Sequence, residues 1–417
     1  MRILVVTQYF WPEAFIINDL VCKLCDQGAE VTVLTGKPNY PEGEIFPGYE
    51  REGLTEECFD NRIRVLRVPL RPRGRAGAID LARNYLSFVA SGLIHFPRMV
   101  RELEPDVILC FAPSPITSVM PAIMLRRKTR AHLALWVQDL WPESLAATGH
   151  VRSSVLLSLV GRMVRMAYAR CDTLLVPSRG FIEPVSRYAD PRKIVYFPNS
   201  VPDPSAAGSD DVEGGTLDGL LNTLQQHFCA VFAGNIGRAQ AVETLVDAAE
   251  RMKHVRDFRL VLVGSGSRLA WVREECARRG LENVVLAGRF PMYMMPAILR
   301  RAQVLVVSLK KETIFSYTIP SKVQAYMAAG RPLVAALNGE GARIVEEAGA
   351  GLTCPAEDSI ALAARLRELH EMSAAERNEF GKSGRRYFLE NFEMTGLAER
   401  LLNIFRERAP HARAQIK

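Results

Sequence analysis

The segment VFAGNIGRAQAVETLVDAAERM, residues 231–252, contains the pattern on which the fold prediction rests. A short apolar run ends at Gly234, a second glycine follows at Gly237, and an amphipathic stretch then begins. The apolar residues of that stretch recur at helical spacing, at Val242, Leu245, Val246 and Ala249. A buried strand, a glycine turn and an amphipathic helix together form the βα unit of a parallel sheet.

Short apolar runs alternate with helical patterns along nearly the whole chain. The first half contains RILVV, EVTVLT, IRVLRVP, DVILCF, LALWV and DTLLVP, and the second half contains FCAVFAG, RLVLVGSG, NVVLAG, QVLVVSL and RPLVAAL. Uninterrupted apolar runs separated by helices predict parallel strands that are buried on both faces. We therefore predict an α/β protein with two Rossmann-like, doubly wound parallel sheets, which bind ligands beyond the carboxyl ends of their strands.

The length of 417 residues favours two domains over a single core. Residues 200–220, SVPDPSAAGSDDVEGGTLDGL, are rich in proline, glycine, serine and acids, which is typical of a linker. We predict an N-terminal domain over residues 1–199, a linker over 200–227 and a C-terminal domain over 228–395. A final helix over residues 396–417 is expected to cross back to the N-terminal domain.

Composition limits the classes of partner and compartment. The net charge of +7 favours an anionic partner. Nucleic acid, a phosphorylated substrate and a membrane surface are the three alternatives. The eight cysteines have no framework spacing, and the single CxxC at Cys22 and Cys25 lies in a helical stretch. We therefore expect core thiols in a reducing cytosol, not a metal or redox site. The apolar run at the N-terminus is too short for a signal peptide, and no apolar run is long enough for a membrane span.

A dinucleotide-dependent dehydrogenase would also use this architecture. Its fingerprint, G-x-G-x-x-G after a strand, is missing after the first strand, which leads into TQYFWPE. Gly264 and Gly266 form a G-x-G after a later strand, but the third glycine is lacking. The sequence therefore argues against a dehydrogenase.

The turn at residues 234–240 has the features of a phosphate site. Gly237 lets the backbone approach a ligand, and the free N–H groups at the start of the following helix attract an anion. Arg238 adds a positive charge. A tight turn with a solvated arginine is the alternative interpretation.

A second phosphate site is indicated by YTIPSKVQAYMAAGRPLVAAL, residues 317–337. Pro320 and Ser321 open a helix, and Lys322 lies in its first turn. A cation at that place opposes the helix dipole by ~0.3–1 kcal/mol unless an anion is present. Lys322 is therefore a stronger indication of a phosphate ligand than Arg238, although a solvated surface lysine is the alternative.

The chain resembles a known family, the GT-B glycosyltransferases of family 4. The second half carries the resemblance in AGNIGRAQAVETLVDAA, LVLVGSGSR, LAGRFPMYMMPAIL, IPSKVQAYMAAGRPLVA and GARIVEEAGAGL, in the family's order. The first half, in QYFWPEAFIINDL, PNYPEGEIFPGYE and DLWPES, resembles one bacterial branch. That branch builds O-antigen, capsule and colanic-acid-type polysaccharides and includes fucosyl- and N-acetylfucosaminyl-transferases.

The resemblance implies a fold and a reaction. It implies two Rossmann-like domains facing a central cleft, with a nucleotide-sugar donor on the C-terminal domain and an acceptor on the N-terminal one. It also implies retention at the anomeric carbon without a metal or other cofactor. We expect a UDP-linked donor, with a UDP-N-acetyl-deoxyhexose as a candidate, and a polyprenyl-diphosphate-linked saccharide as the acceptor.

Some residues with which the family binds its donor are replaced in this chain. Members hold the diphosphate with an arginine after the glycine and a lysine further on, where this chain has Asn235 and Gln240. Two family glutamates near the donor correspond to Tyr317 and Ala325. The donor residues expected from the motifs and the resemblance are Gly234, Asn235, Gly237, Arg238, Gly264, Ser321 and Lys322, with Arg289 and Phe290 beside the base and Glu346 and Glu347 as ribose candidates.

The tripeptide Trp-Pro-Glu occurs twice, at residues 11–13 and 141–143, each time after a predicted strand. Proline ends the strand and tryptophan packs the loop, so these two residues are interpreted as structural in both copies. The remaining acids, Glu13, Asp139 and Glu143, are then the catalytic candidates that face the acceptor. Asp139 would orient the acceptor hydroxyl or stabilise oxocarbenium charge, and a helix-capping role is its alternative.

Basic charge concentrates in the first half. Between residues 62 and 101 there are nine arginines, no lysine and one acid, and an apolar stripe follows Leu86, Val89, Leu93 and Phe96. Residues 151–171 add four arginines and no acid. This combination is typical of an interfacial helix on anionic lipid, and no nucleic-acid motif accompanies it. We predict a peripheral protein on the inner face of the cytoplasmic membrane, with contacts from Arg71, Arg73 and Arg75.

Two other functions remain open from the sequence. A GT-B sugar-nucleotide epimerase would need more acidic groups around the donor sugar than this chain supplies. A non-catalytic GT-B subunit that binds a partner or glycan is suggested by the losses at Tyr317 and Ala325.

Overall fold

The structure is a computed structural model that describes residues 1–74, 77–147, 153–203 and 215–409 of the chain. The chain divides into two compact units. The first comprises Met1–Asn199 with Met394–Lys417, and the second comprises Ser200–Glu393.

The first unit contains an eight-stranded sheet. Its strands are β1 Arg2–Thr7, β2 Glu30–Gly36, β3 Thr55–Phe59, β4 Ile63–Val68, β5 Val107–Ala112, β6 His132–Val137, β7 Thr173–Val176 and β8 Ile194–Tyr196. They lie in the order β3-β4-β2-β1-β5-β6-β7-β8, and each pairing is parallel except that of β3 with β4. β1 lies between β2 and β5, so the direction of strand succession reverses there, which is the switch point of a doubly wound sheet.

Helices cover this sheet, and most strands are buried along their length because they lie between helical layers. The helices are α1 Ile16–Asp26, α2 Ala78–Met99, α3 Val119–Thr129, α4 Glu143–Ala147, α5 Ser154–Arg170 and α6 Ile182–Ser186.

The second unit repeats the plan with six strands, all parallel. They are β9 Phe228–Ala233, β10 Phe258–Val263, β11 Val284–Gly288, β12 Val304–Ser308, β13 Leu333–Ala336 and β14 Gly351–Cys354. The order is β11-β10-β9-β12-β13-β14, so the switch point lies beside β9. The helices are α7 Gly215–Gln226, α8 Val242–Arg251, α9 Leu269–Arg279, α10 Met295–Arg301, α11 Thr313–Ser316, α12 Ser321–Ala328, α13 Glu340–Glu347, α14 Ser359–Glu371 and α15 Ala374–Asn391. The prediction of two doubly wound parallel sheets is confirmed.

The last helix, α16 Met394–Arg408, belongs to the first unit, where it packs against α1. Its apolar face is buried in the same core as β1, through Leu397, Leu401, Leu402 and Phe405. Residues 410–417 of the predicted final helix lie outside the described residues.

The predicted linker over residues 200–227 is too long. Residues 204–214 lie outside the described part, but α7 occupies residues 215–226 and is not a linker. Leu217, Leu220 and Leu224 recur at helical spacing and are buried in the core of the second unit, which explains why this stretch folds.

No helix within the described ranges is long and apolar enough to cross a membrane.

Candidate functional site

The second unit brings three glycines together at the carboxyl edge of its sheet. Gly234 follows β9 and donates its N–H to the carbonyl of Val263 at 2.8 Å, and Gly264 follows β10 and donates to Gly288 at 2.7 Å. A Cβ atom at Gly264 would lie 1.9 Å from the carbonyl oxygen of Gly234, and the φ of Gly264 is +139°. Only glycine permits this approach, so the edge beside the switch point is lined by bare backbone.

The loop after Gly234 is tied to the loop after β10. Ile236 donates its N–H to the carbonyl of Ser265 at 2.8 Å, and Arg268 donates to the carbonyl of Ile236 at 3.0 Å. A Cβ atom at Gly266 would lie 2.4 Å from the same Ile236 oxygen. The two turns therefore hold one another in a fixed position.

The helix after Gly237 begins later than predicted. Residues 238–240 form one 3₁₀ turn, Ala241 has a φ of +45°, and α8 starts only at Val242. Arg238 is exposed on that turn. It therefore does not lie beside a helix N-terminus, and this part of the phosphate prediction is wrong because the left-handed residue Ala241 separates turn and helix.

Lys322 lies where the sequence predicts, as the second residue of α12, after Pro320 and Ser321. Its ammonium group donates a hydrogen bond to Oε1 of Gln240 and lies 3.8 Å from the centre of the Phe232 ring. A Cβ atom at Gly234 would lie 2.8 Å from Cε of Lys322. The lysine side chain therefore extends over the glycine at the switch point.

Burial lowers the pKa of Lys322 to about 7. Among the described residues no carboxylate forms an ion pair with it. A half-buried ammonium group without a counter-charge costs free energy, and a bound anion would remove that cost. Gln240 and Phe232, which hold the ammonium, were not singled out from the sequence as ligands of Lys322, because nothing in their spacing relates them to residue 322.

The two ribose candidates are engaged elsewhere. Oε1 of Glu346 accepts a hydrogen bond from Thr353 Oγ1 at 2.5 Å, and Glu347 pairs with Arg343 and accepts from Tyr387 Oη at 2.8 Å. The contacts of Glu346 and Glu347 hold the carboxyl end of α13 to β14 and α15. A role for Glu346 and Glu347 in holding a ribose stays a prediction, and it would require them to exchange these contacts for the ligand.

Arg289 and Phe290 follow β11 directly, at the same edge of the sheet as Gly264. Arg289 is exposed, and Phe290 packs partly against the core. Asn235 and Ser321 are exposed as well. A role for these four residues in donor binding stays a prediction.

In the first unit, both Trp-Pro-Glu segments leave the carboxyl edge of the sheet, because β1 and β6 run parallel to the strand β5 between them. Both Trp-Pro peptide bonds are cis. Trp11 is held through its backbone, which donates to Asn18 Oδ1 at 3.1 Å and accepts from the buried Arg67. The two copies therefore occupy equivalent positions on different strands.

The two glutamates of these segments differ in their surroundings. Glu13 is 1% exposed and accepts backbone hydrogen bonds from Phe10 at 3.0 Å and from Asn39 and Tyr40 at 2.8 Å each. Burial raises the pKa of Glu13 to about 7, against the effect of these three donors. The prediction that Glu13 faces an acceptor is wrong, because its carboxylate is enclosed and joins the loops after β1 and β2.

Asp139 organises the loop after β6. One carboxylate oxygen accepts from Trp141 Nε1 at 3.1 Å, and the other accepts from Ser144 Oγ. α4 begins at Glu143, so Asp139 is not the residue that precedes this helix, and the capping alternative does not describe it. Glu143 itself accepts a long hydrogen bond, 3.5 Å, from Tyr188 Oη.

The arginines predicted to touch a membrane are not equivalent. Arg71 is exposed, and Arg75 lies outside the described residues. Arg73 is half-buried, with its guanidinium carbon 4.8 Å from the Tyr40 ring centre and 5.9 Å from that of Tyr9. Aromatic rings from the loops after β1 and β2 therefore lie beneath Arg73, and its contact with a membrane stays a prediction.

The apolar stripe of α2 divides between core and surface. Phe96, the last residue of the predicted apolar stripe, is buried and packs against Phe88. Leu86 and Leu93 are exposed, and α5 exposes apolar residues on its own surface, at Val155, Leu156, Leu159 and Met166. Both helices pack against α3, so α2 and α5 are neighbours of the same helix in this unit.

Within the part of the chain that the structure describes, no three histidine, cysteine or acidic side chains come together as metal ligands.

Comparison with known proteins identifies relatives for both units. A family model described as glycosyl transferase 4-like domain matches residues 14–200, and one described as glycosyl transferases group 1 matches residues 227–372. The chain is 25% identical to the probable glycosyltransferase WbjE of Pseudomonas aeruginosa, covering 76% of this chain and 77% of WbjE. It is 26% identical to the putative colanic acid biosynthesis glycosyl transferase WcaI of Escherichia coli, covering 79% and 82%.

Solved structures share the fold at low identity. Sucrose-phosphate synthase from Thermosynechococcus elongatus superimposes with a TM-score of 0.72 and 18% identity, covering 98% of both chains. HepE of Anabaena in complex with UDP superimposes with a TM-score of 0.68 and 13% identity, covering 98% of this chain and 100% of HepE. The likeness to these two proteins supports the GT-B fold.

Proposed function

The chain belongs to glycosyltransferase family 4, and from this premise we propose that the second unit binds a nucleotide-sugar donor and the first unit binds the saccharide that accepts the sugar. The curated relatives WbjE and WcaI are named as glycosyltransferases, and WcaI as one of colanic acid biosynthesis. Synthesis of a bacterial surface polysaccharide is the process that these relatives support.

The observation that carries the proposal is the position of Lys322 over Gly234 at the switch point of the second sheet. A diphosphate at that edge would receive a charge-assisted hydrogen bond from Lys322, and the glycines Gly234 and Gly264 place no side chain between it and the backbone. Positive charge there stabilises the leaving diphosphate as the glycosidic bond breaks, so a metal is not required. HepE, which shares the fold, has been solved with UDP and with UDP-glucose, so UDP sugars are the first donors to test.

The first unit supplies Asp139 but no histidine base beside it. The neighbouring residue is Gln138, whose amide exchanges hydrogen bonds with Asn199 at 2.9 and 3.0 Å. In a retaining transfer the bond from the anomeric carbon to the phosphate oxygen breaks, and the acceptor oxygen bonds to the same face. The departing phosphate oxygen takes the acceptor's proton, while Asp139 orients the hydroxyl or stabilises the oxocarbenium charge.

A lipid-linked acceptor explains the apolar surface of α2 and α5. Leu86 is 63% exposed and Leu159 is 52% exposed, and the exposed Arg162 and Arg165 lie on the same helix as Leu159. Large apolar side chains beside arginine suit the interface of an anionic membrane. We propose a polyprenyl-diphosphate-linked saccharide as the acceptor and the inner face of the cytoplasmic membrane as the location.

Incubation of the purified protein with a panel of nucleotide sugars tests the proposed function. Release of the nucleotide diphosphate, stimulated by a saccharide acceptor, is the expected result. Conversion of the donor to an epimer without release would favour a sugar-nucleotide epimerase. Measurable nucleotide binding without either reaction would favour a non-catalytic binding subunit.

A further inference from the structure

The guanidinium group of Arg73 lies at the carboxyl edge of the first sheet, in the loop between β4 and α2. It lies over the rings of Tyr40 and Tyr9, at 4.8 and 5.9 Å. Among the described residues, its guanidinium nitrogens take part in no hydrogen bond and no ion pair. Arg67, on the preceding strand, is paired with Glu57, so the lack of a counter-charge distinguishes Arg73 from its neighbour.

The loop that carries Arg73 is fixed by buried amides. The backbone N–H of Arg73 donates to Oδ1 of Asn39 at 3.1 Å. Nδ2 of Asn84 donates to the carbonyl of Arg71 at 2.5 Å and to the same Asn39 oxygen at 3.3 Å. Asn39 and Asn84 are completely buried. Two buried side chains thus fix the backbone at Arg73 by hydrogen bonds, so the position of this residue is determined by the fold.

The same amide network contains an unused acceptor. Nε2 of Gln8 donates to Oδ1 of Asn84 at 2.7 Å, and Gln8 is 1% exposed. Oε1 of Gln8 accepts no hydrogen bond from any residue that the structure describes. Buried acceptors are normally paired, so an unpaired one beside this loop indicates that a ligand hydroxyl or a water completes the network.

Tyr85 connects this place to Asp139. Burial is the main cause of the raised pKa of Tyr85. The charge of Arg73 lowers this pKa and the charge of Asp139 raises it. Arg73 and Asp139 therefore both lie near this one tyrosine at the carboxyl edge of the sheet. A ligand that reaches Asp139 with one group can reach Arg73 with another.

We propose that Arg73 binds an anionic group of the acceptor, close to the hydroxyl that Asp139 orients. The proposal rests on the proposed function, because it names the chemistry of the acceptor at that site. A diphosphate at the reducing end of a short lipid-linked saccharide and the carboxylate of an acidic sugar present the same charge to a guanidinium group.

Three acceptors distinguish these sources: a saccharide as its neutral octyl glycoside, the same saccharide as its decyl diphosphate, and an octyl glycoside that contains a uronic acid. We expect the KM of one anionic acceptor to be at least about tenfold below that of the neutral one. Arg73→Gln should abolish this preference by raising only that KM, and Arg73→Lys should restore part of it. Arg83→Gln, which changes an exposed arginine next to Asn84, is the matched control and should keep the preference.

Equal KM values for the three acceptors in the unchanged protein would overturn the proposal, as would an equal effect of Arg73→Gln on neutral and anionic acceptors. Loss of vesicle binding by Arg73→Gln, with soluble acceptors unaffected, would instead assign Arg73 to the membrane. If no nucleotide sugar is turned over, the proposed function fails. In that case the affinities of the unchanged protein and of the same variants for the three acceptors are measured by calorimetry. A preference for an anionic acceptor that Arg73→Gln abolishes would still support the role of Arg73.

Discussion

The ammonium group of Lys322 donates a hydrogen bond to Oε1 of Gln240, across the carboxyl edge of the second sheet. Gln240 stands where the family pattern has a lysine that binds diphosphate, so the chain retains a cation at this place but supplies it from the next helix along the edge. Because the Gln240 side chain accepts this hydrogen bond, it holds the ammonium over Gly234. Gln240 thus replaces the lysine of the family pattern, and Lys322 supplies the positive charge in its place. The first two predictions rest on this arrangement.

Lys322→Ala should weaken the binding of nucleoside diphosphate by ~1.5–3 kcal/mol, which is roughly ten- to 150-fold, and leave nucleoside binding nearly unchanged. The physical reason is the loss of one charge-assisted hydrogen bond to phosphate. Titration calorimetry with UDP and uridine measures both affinities. Lys253→Ala, which removes an exposed lysine from the same unit, is the control. Equal losses for UDP and uridine would show that Lys322 does not contact the phosphates.

Binding of UDP should depend on pH through Lys322. Because burial lowers the pKa of Lys322 to about 7, the free protein has lost this proton above pH 7, and a bound diphosphate favours its return. UDP binding at pH 8 should therefore take up close to one proton, and the affinity should fall by up to about tenfold per pH unit above pH 7. Calorimetry in buffers of different ionisation enthalpy measures the proton uptake. Lys322→Met should take up none, and a pH-independent affinity of the unchanged protein would contradict this account.

Asp139→Asn should lower turnover and leave the affinity for the donor within about twofold, since Asp139 belongs to the first unit and the donor is assigned to the second. The amide keeps the shape of the carboxylate but removes its charge. Initial rates and donor titrations are compared with Glu183→Gln, which neutralises an exposed carboxylate of the same unit. Normal turnover would reduce Asp139 to its structural contacts with Trp141 and Ser144.

The double change Leu86→Ser with Leu159→Ser should weaken binding to phosphatidylglycerol vesicles at least about tenfold, because it removes two exposed apolar side chains from the surface assigned to the membrane. Co-sedimentation measures the bound fraction. The matched control is Ile360→Ser with Leu389→Ser, which removes apolar side chains of similar exposure, 65% and 47%, from the second unit. Vesicle binding that is the same for both double variants would exclude this surface.

Much of the fold follows from local pattern. All eleven predicted strands are present, because buried parallel strands must be continuously apolar, whichever helices cover them. Three strands were missed: β8 and β14 have only three and four residues, and the sequence of β3, TEECF, alternates in burial and contains no apolar run. Glu57 of β3 is paired with Arg67 of the adjacent antiparallel strand, and a pairing of that kind cannot be inferred from periodicity.

The site follows from the sequence less completely. Lys322 was predicted, because a cation in the first turn of a helix is locally unfavourable and therefore visible in the sequence. The role of Glu13 could not be predicted, since two of its three partners are backbone N–H groups of another loop, at Asn39 and Tyr40. The same holds for Arg73, whose aromatic partners come from the loops after β1 and β2.

The most direct test of the central claim follows by NMR spectroscopy the reaction of each nucleotide sugar of the panel with a saccharide acceptor. The account predicts that nucleoside diphosphate and glycosylated acceptor form in equal amounts, that the new linkage has the anomeric configuration of the donor, and that Lys322→Ala slows both products together. Donors that all remain intact, or a donor that changes its configuration without release of nucleoside diphosphate, would contradict the assignment of this chain as a glycosyltransferase.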